Sequence, residues 1–177
     1  MECVVLVDER DAEVGIMEKI EAHEKGVLHR AFSVFIFNKK GEMLLQQRAL
    51  KKYHSGGLWT NACCSHPKPN ELTLNAANRR LKEEMGFETD LEKIFDFTYK
   101  ASFLNGLTEH EFDHVFIGYY DGLIIPDFEE VENYAFRTIE KIEETLKLYP
   151  DFYTDWFLIA FPKIKEWLSN NNNIASK

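Results

Sequence analysis

The stretch from Trp59 to Gly86 constrains this chain more than any other. It begins Trp59-Thr60-Asn61-Ala62-Cys63-Cys64-Ser65-His66-Pro67 and ends Arg79-Arg80-Leu81-Lys82-Glu83-Glu84-Met85-Gly86. In the first half a thiol stands two residues before an imidazole. On extended backbone, residues i and i+2 point to the same side. Cys64 and His66 are therefore expected to face one pocket, with Cys63 and Ser65 facing away. In the second half Leu74, Ala77, Leu81 and Met85 recur at helical spacing. Asn70 and Glu71 supply polarity at the helix entry, and Gly86 is placed to close it in a left-handed conformation. Glu84 sits at the edge of the apolar stripe. A thiol, an imidazole and carboxylates thus come into one neighbourhood.

The rest of the chain reads as strands with a few helices. A strand is expected over 4–7, then a short helix over 17–25 ended by Gly26, on which Lys19 and His23 share a face. A strand over 29–37, a turn over 38–41 and a strand over 42–48 form an expected hairpin. Strands over 92–100 and 109–120 follow, joined by a loop with Asn105-Gly106, and a short strand over 133–137. Helices over 139–148 and from 153 to about 168 finish the chain, the second kinked or broken at Pro162. The pattern implies one domain over 1–177, with residues 170–177 a flexible tail.

Charge and cysteine content exclude some functions. The formal charge is −9 with no basic tract, which argues against sequence-independent nucleic-acid binding. A local basic cluster can still hold an anionic small molecule. Three cysteines, two of them adjacent, do not make a disulfide framework. Free thiols, a start without signal-peptide character and no apolar run of membrane length point to a cytoplasmic protein with no membrane partner.

Glu71, Arg79, Glu83, Glu84 and Gly86 fall on the spacing of the Nudix box. Ser65 stands where that box has a glycine, and Arg80 where it has the glutamate after arginine. These departures, with the run from Asn61 to Pro67, resemble the type 1 isopentenyl-diphosphate isomerases, which share a Nudix-like fold without being hydrolases. The resemblance covers roughly residues 19 to 156. It implies an α+β fold, a Nudix-like α/β/α sandwich around a mixed sheet. It also implies conversion of isopentenyl diphosphate, a homoallylic diphosphate, to its allylic isomer dimethylallyl diphosphate.

The resemblance further implies site residues. His23, His29, His66, Glu109 and Glu111 match a metal site of three histidines and two glutamates. Taken singly, each is more simply a hydrogen-bonded histidine or a solvated glutamate. Imidazoles with carboxylates suit Mn²⁺ or Mg²⁺, with zinc as the alternative. The gap from His23 to His29 is one residue shorter than in a bacterial member of the family that the chain resembles. Glu84 matches the ligand of a Mg²⁺ ion that arrives with the substrate. Lys19, Arg48, Lys52 and Arg80 match the diphosphate-contacting positions, in preference to Lys51, Arg30 and Arg79. Cys64 and Glu111 match catalytic groups on opposite faces of the substrate, with Tyr99 beside the glutamate. Trp156 matches an aromatic that faces the developing cation. A thiolate at Cys64 would need a nearby cation to lower its pKa. His54, His110 and His114 are left as structural or exposed. Two other classes fit less of the sequence. A Nudix-type pyrophosphohydrolase would want a glutamate at Arg80, and a non-catalytic metal-binding module would not need Cys64, Tyr99 and the dispersed bases together.

Overall fold

The segment His29–Phe37 is apolar or small at nearly every position, which marks a strand covered on both faces. The computed structural model, which describes residues 2–52, 54–103 and 105–172, places it at the centre. The elements run β1 (Cys3–Val7), β2 (Glu13–Glu18), α1 (Lys19–Lys25), β3 (His29–Phe37), β4 (Met43–Arg48), β5 (Trp59–Asn61) and β6 (Cys63–Ser65). Then come α2 (Thr73–Met85), β7 (Leu91–Ser102), β8 (Thr108–Tyr119), β9 (Val131–Arg137), α3 (Ile139–Leu148), a 3-10 turn (Pro150–Phe152) and α4 (Asp155–Asn172).

The strands form one mixed sheet. β3 runs parallel to β8 along its whole length, from His29 opposite Glu111 to Phe37 opposite Tyr119. A parallel pair needs a long crossover, and α2 lies within it. On its other edge β3 meets β1 at His29, β6 from Phe32 to Val34 and β4 at Phe37. The long antiparallel pair β7–β8 sets Tyr99 opposite Glu111. Tyr99, Glu111 and His29 therefore form a row across three adjacent strands.

Successive side chains of β3 feed two cores, as a period of two requires. Phe32, Val34 and Ile36 pack with Ala76, Ala77, Leu81 and Met85 of α2. Phe35 and Phe37 pack with Phe157, Phe161 and Ile164 of α4. The result is the expected α+β arrangement of helices on both faces of a mixed sheet. Gly86 ends α2 with φ +76°, and a Cβ there would lie 2.1 Å from the carbonyl oxygen of Ile125, so the position admits only glycine.

Several local expectations need correction. Residues 17 and 18 belong to β2, an edge strand of mixed polar and exposed apolar residues, and α1 starts at Lys19 with the Glu18 carboxylate accepting from the Glu21 amide. The β3–β4 hairpin is paired only at Phe37–Met43. Beyond that turn, sheet twist carries β4 away to lie between β5 and β9. Leu74 is exposed, and Ala76 takes its place in the core. Pro162 does not break α4, which continues through Asn172. That helix covers the start of the expected tail, whose residues 173–177 lie outside the described residues.

Candidate active site

The cation-ligating candidates meet beneath the β3–β8 row. His23, His29, His66 and Glu111 each offer one donor atom within 4.8 Å of all the others, and His23, His54 and Glu109 form a second such group. His29 Nδ1 lies 2.8 Å from the carbonyl of Val27, and His23 Nδ1 lies 2.6 Å from that of Lys19. A carbonyl only accepts, so both rings hold their proton on Nδ1 and turn Nε2 inward. His29 Nε2 then sits 3.6 Å from Glu111 Oε1. His66 Nε2 is 2.8 Å from the same oxygen. The buried Nε2 of His29 and Nδ1 of His66 have no hydrogen-bond partner. The inward Nε2 of His29, unpartnered among the described residues and set beside His66 Nε2 and the Glu111 carboxylate, fits a divalent cation.

Proton states in this cluster follow from burial. Burial holds His23 below its ordinary pKa, His66 down at about 4 and His54 at about 3, so all three are neutral at pH 7. Tyr99 Oη lies 2.6 Å from Glu111 Oε2 and 3.0 Å from Glu109 Oε2. A phenol has one hydrogen to share between them. Burial and the neighbouring Glu111 charge push Glu109 well up. Burial acts on Glu111 in the same sense, but the imidazoles of His29 and His66 outweigh it and hold Glu111 well below the carboxylate range. Tyr99 therefore gives its one hydrogen to the ionised Glu111, the nearer of the two carboxylates.

The thiol side is built by β5 and β6. β6 sets Cys64 opposite Ser33, while Cys63 is fully buried in the α2 core. Cys64 Sγ donates to Asn61 Oδ1 at 3.0 Å and lies 3.4 Å from Ser33 Oγ, which donates to Asp113 Oδ2 at 2.7 Å. The orientation of Asn61 is fixed, because its Nδ2 donates to the carbonyls of Val34 and Cys63. Thr60 Oγ1 donates to the same Asn61 Oδ1 at 2.9 Å and accepts from Trp156 Nε1 at 2.8 Å. One buried chain thus joins the indole to the thiol. Burial, with Asp113 behind it, pushes the Cys64 thiol up. An amide oxygen rather than a cation faces the sulfur, so the condition for a resting thiolate is not met.

The basic side closes the mouth. Lys19, Arg48, Lys52 and Arg80 come from four separate segments and line one cavity. Cys64, His66, Glu84, Tyr99, Glu109, Glu111 and Trp156 line it too, as does Ser65, which pairs with Phe32 on the Cys63 face of β6. His23 and His29 lie fully buried behind its wall. The cavity measures about 50 Å³, room for a water or two. An outer cavity of about 310 Å³ shares Lys19, Lys52 and Arg80 with it and adds Glu2, Glu18 and Glu130. The bases are paired here: Lys19 with Glu2 at 3.1 Å, Lys52 with Glu130, and Arg80 with Glu84 at 2.6 Å. The Arg48 guanidinium lies 5.2 Å from the centre of the Trp156 ring. Glu84 also accepts from Gln46 Nε2 at 2.9 Å.

Residues 27–157 match the NUDIX domain family. An isopentenyl-diphosphate Delta-isomerase of Pectobacterium atrosepticum is 50% identical over 164 residues, spanning 93% of this chain and 92% of its own length. The protein of the same name from Burkholderia multivorans is 49% identical over 156 residues, 88% of this chain and 89% of its own. The chain belongs to the isopentenyl-diphosphate Delta-isomerase family. Solved structures resemble it in fold alone. A Deinococcus radiodurans protein superposes with TM-score 0.70 at 18% identity over 84% of this chain and 90% of its own. The MutT protein of Methanosarcina mazei gives 0.64 at 21% identity over 78% and 94%.

Within this isomerase family fold, residues given no role from the sequence stand in or behind the cavity wall. Thr60 and Asn61 belong to the run from Trp59 to Pro67 without a function of their own there, and Ser33 and Asp113 read as small or polar positions within strands. His54 is buried rather than exposed, with Nε2 3.4 Å from Glu109 Oε1. Its signal was a fourth histidine in a glycine-rich loop between Lys52 and Cys64. His114 pairs with Asp11 and His110 Nδ1 lies 3.0 Å from the Gly26 carbonyl, both away from the cavity. Arg30, Lys51 and Arg79 are engaged by Asp11, Glu129 and Glu71 outside it.

Proposed function

We propose that the protein isomerises isopentenyl diphosphate to dimethylallyl diphosphate. The observation that carries this reading is the convergence of Cys64 and the Tyr99–Glu111 pair on one cavity whose mouth is ringed by four bases. Protonation of the terminal methylene forms a tertiary cation, and loss of a proton from the neighbouring carbon forms the internal alkene. One wall gives a proton and the other takes one. In the resting state the sulfur holds its proton and Glu111 is ionised. Trp156 lines the space where positive charge develops.

The bases read as the diphosphate grip. Lys19, Lys52 and Arg80 divide the inner cavity from the outer one, so the reacting carbons lie inward and the phosphates at the mouth. The inner cavity is too small for a five-carbon chain as it stands. Substrate entry must exchange the carboxylates of Glu2 and Glu130 for phosphate oxygens and widen the site, then close over the cation to exclude water. His23, His29, His66, Glu109 and Glu111 would hold a divalent ion, Mn²⁺ or Mg²⁺, which supplies positive charge that fixes and polarises the Glu111 carboxylate. Glu84 would meet a Mg²⁺ ion brought with the diphosphate.

No helix among the described residues is long and apolar enough to cross a membrane. With Cys3, Cys63 and Cys64 all free, a reducing cytoplasm is the compartment we assign, and one domain the organisation. The deciding experiment incubates metal-loaded protein with isopentenyl diphosphate and, separately, with nucleoside diphosphate derivatives. Formation of an allylic diphosphate supports the reading. Release of phosphate or nucleotide without it supports a pyrophosphohydrolase.

A further inference from the structure

We propose that His54 is a further ligand of the divalent-cation site, giving the site a fourth imidazole. The inference rests on the metal reading above and adds a donor to it. His54 comes from the loop between β4 and β5, yet only 7% of it is exposed. Its ring stacks on Phe103, with centroids 4.9 Å apart and planes 10° apart, and meets Trp156 edge-on at 5.9 Å. Packing, not the loop alone, aims Nε2 at Glu109.

The two donor groups describe one ion. They share His23, whose Nδ1 is committed to the Lys19 carbonyl. Nε2 is then its ligating atom, and one lone pair serves one metal. The group of His23, His29, His66 and Glu111 and the group of His23, His54 and Glu109 therefore compete for, or share, one ion through His23. The six donors do not all lie within 4.8 Å of one another, so an ion that takes both groups must draw them together. Three of the contacts already have the spacing of neighbouring ligands. An octahedral ion with bonds of about 2.1 Å keeps neighbouring donors about 3 Å apart. His54 Nε2 is 3.4 Å from Glu109 Oε1, while Glu111 Oε1 is 2.8 Å from His66 Nε2 and 3.6 Å from His29 Nε2. At 3.4 Å the His54 contact is longer than a good N–H···O bond, and the spacing suits two ligands of one ion better than a donor and its acceptor.

This has a chemical consequence. Four imidazole nitrogens with two carboxylate oxygens fill an octahedral shell. The ion then has no position for the alkene or for water, and acts on the reaction only by holding Glu111. Such a nitrogen-rich set favours a transition metal over Mg²⁺, which prefers oxygen donors and keeps its waters.

The test counts nitrogens. Protein with ¹⁵N-labelled histidine is loaded with Mn²⁺ alone, and pulsed electron paramagnetic resonance reports the coordinated imidazoles. Four coupled nitrogens in the wild-type protein, falling to three in His54→Ala with affinity for Mn²⁺ weakened about ten-fold or more, are the expected result. Three nitrogens in the wild type overturn the assignment of His54 and leave the three-histidine site intact. No imidazole coupling at all overturns the metal reading itself. The wild-type count decides even if the variant does not fold.

Discussion

Replacing Thr60 by Val tests the buried chain that joins Trp156 to Cys64. Thr60 is fully buried, and its hydroxyl accepts from Trp156 Nε1 and Thr154 Oγ1 while donating to Asn61 Oδ1. Valine keeps the shape and removes all three bonds. A buried N–H left without an acceptor costs about 1–3 kcal/mol, and the lost bond to Asn61 about 1 kcal/mol more. The sum, about 2–4 kcal/mol, corresponds to a fall in Tm of about 4–16 °C for a chain of this size. Trp156 and Asn61 lose their shared anchor, so kcat should fall, by up to about a hundred-fold if the reacting groups shift by an ångström. KM should change little, because Lys19, Lys52 and Arg80 stand on other segments. Thr60→Ser restores the hydroxyl and should behave as wild type. Differential scanning fluorimetry and steady-state kinetics on the two variants make the comparison. A valine variant with wild-type Tm and kcat would show that the chain does not position the site.

Cys64→Ala should abolish turnover while Cys63→Ala, which trims only the α2 core, should leave kcat intact with a small loss of Tm; equal kinetic losses would refute the division of roles. Loading Mn²⁺ at pH 7 should release few protons, measured in a weakly buffered dye solution, because His23 and His66 are already neutral and only the raised Glu109 carboxyl has one to give. Release of three or more protons would mean that the histidines are charged in the metal-free site. Metal-free protein should also lose thermal stability as pH falls from about 6.5 towards 4. His23, His54, His66 and His114 all have lowered pKa values in the fold, so the unfolded chain binds protons there that the folded one refuses. The raised carboxyls of Glu109 and Asp113 oppose this and are outnumbered. A Tm that holds constant or rises over that range would contradict the assigned proton states.

The legible part of the fold was the part with a strong period or a strong stop. β3, α3 and the glycine caps at Gly26 and Gly86 could be read because burial on both faces, an amphipathic stripe and a left-handed turn each leave a local pattern. β2 could not, since Gly15 and the adjacent apolar pair Ile16-Met17 blur a strand period in a six-residue edge strand, and its apolar side chains do not enter a core. The pairing of β4 was also hidden, because a short turn at Asn38–Gly41 predicts a hairpin and only the twist of the whole sheet carries β4 elsewhere. At the cavity the charged and sulfur-bearing groups stood out by chemical type. Thr60, Asn61 and Ser33 did not, because a hydroxyl or amide that orients another group has no spacing rule of its own. The protonation of Cys64 depended on what faces the sulfur, and no reading of the residues beside it in sequence supplies that.

The most direct measurement is product analysis in deuterated water. Metal-loaded protein is given isopentenyl diphosphate, and the products are examined by mass spectrometry and NMR. Proton addition at the methylene and loss at the neighbouring carbon predict dimethylallyl diphosphate carrying solvent deuterium in a methyl group, with none formed by Glu111→Gln. Recovery of unlabelled isopentenyl diphosphate, or release of phosphate in place of an allylic product, would contradict the proposed chemistry.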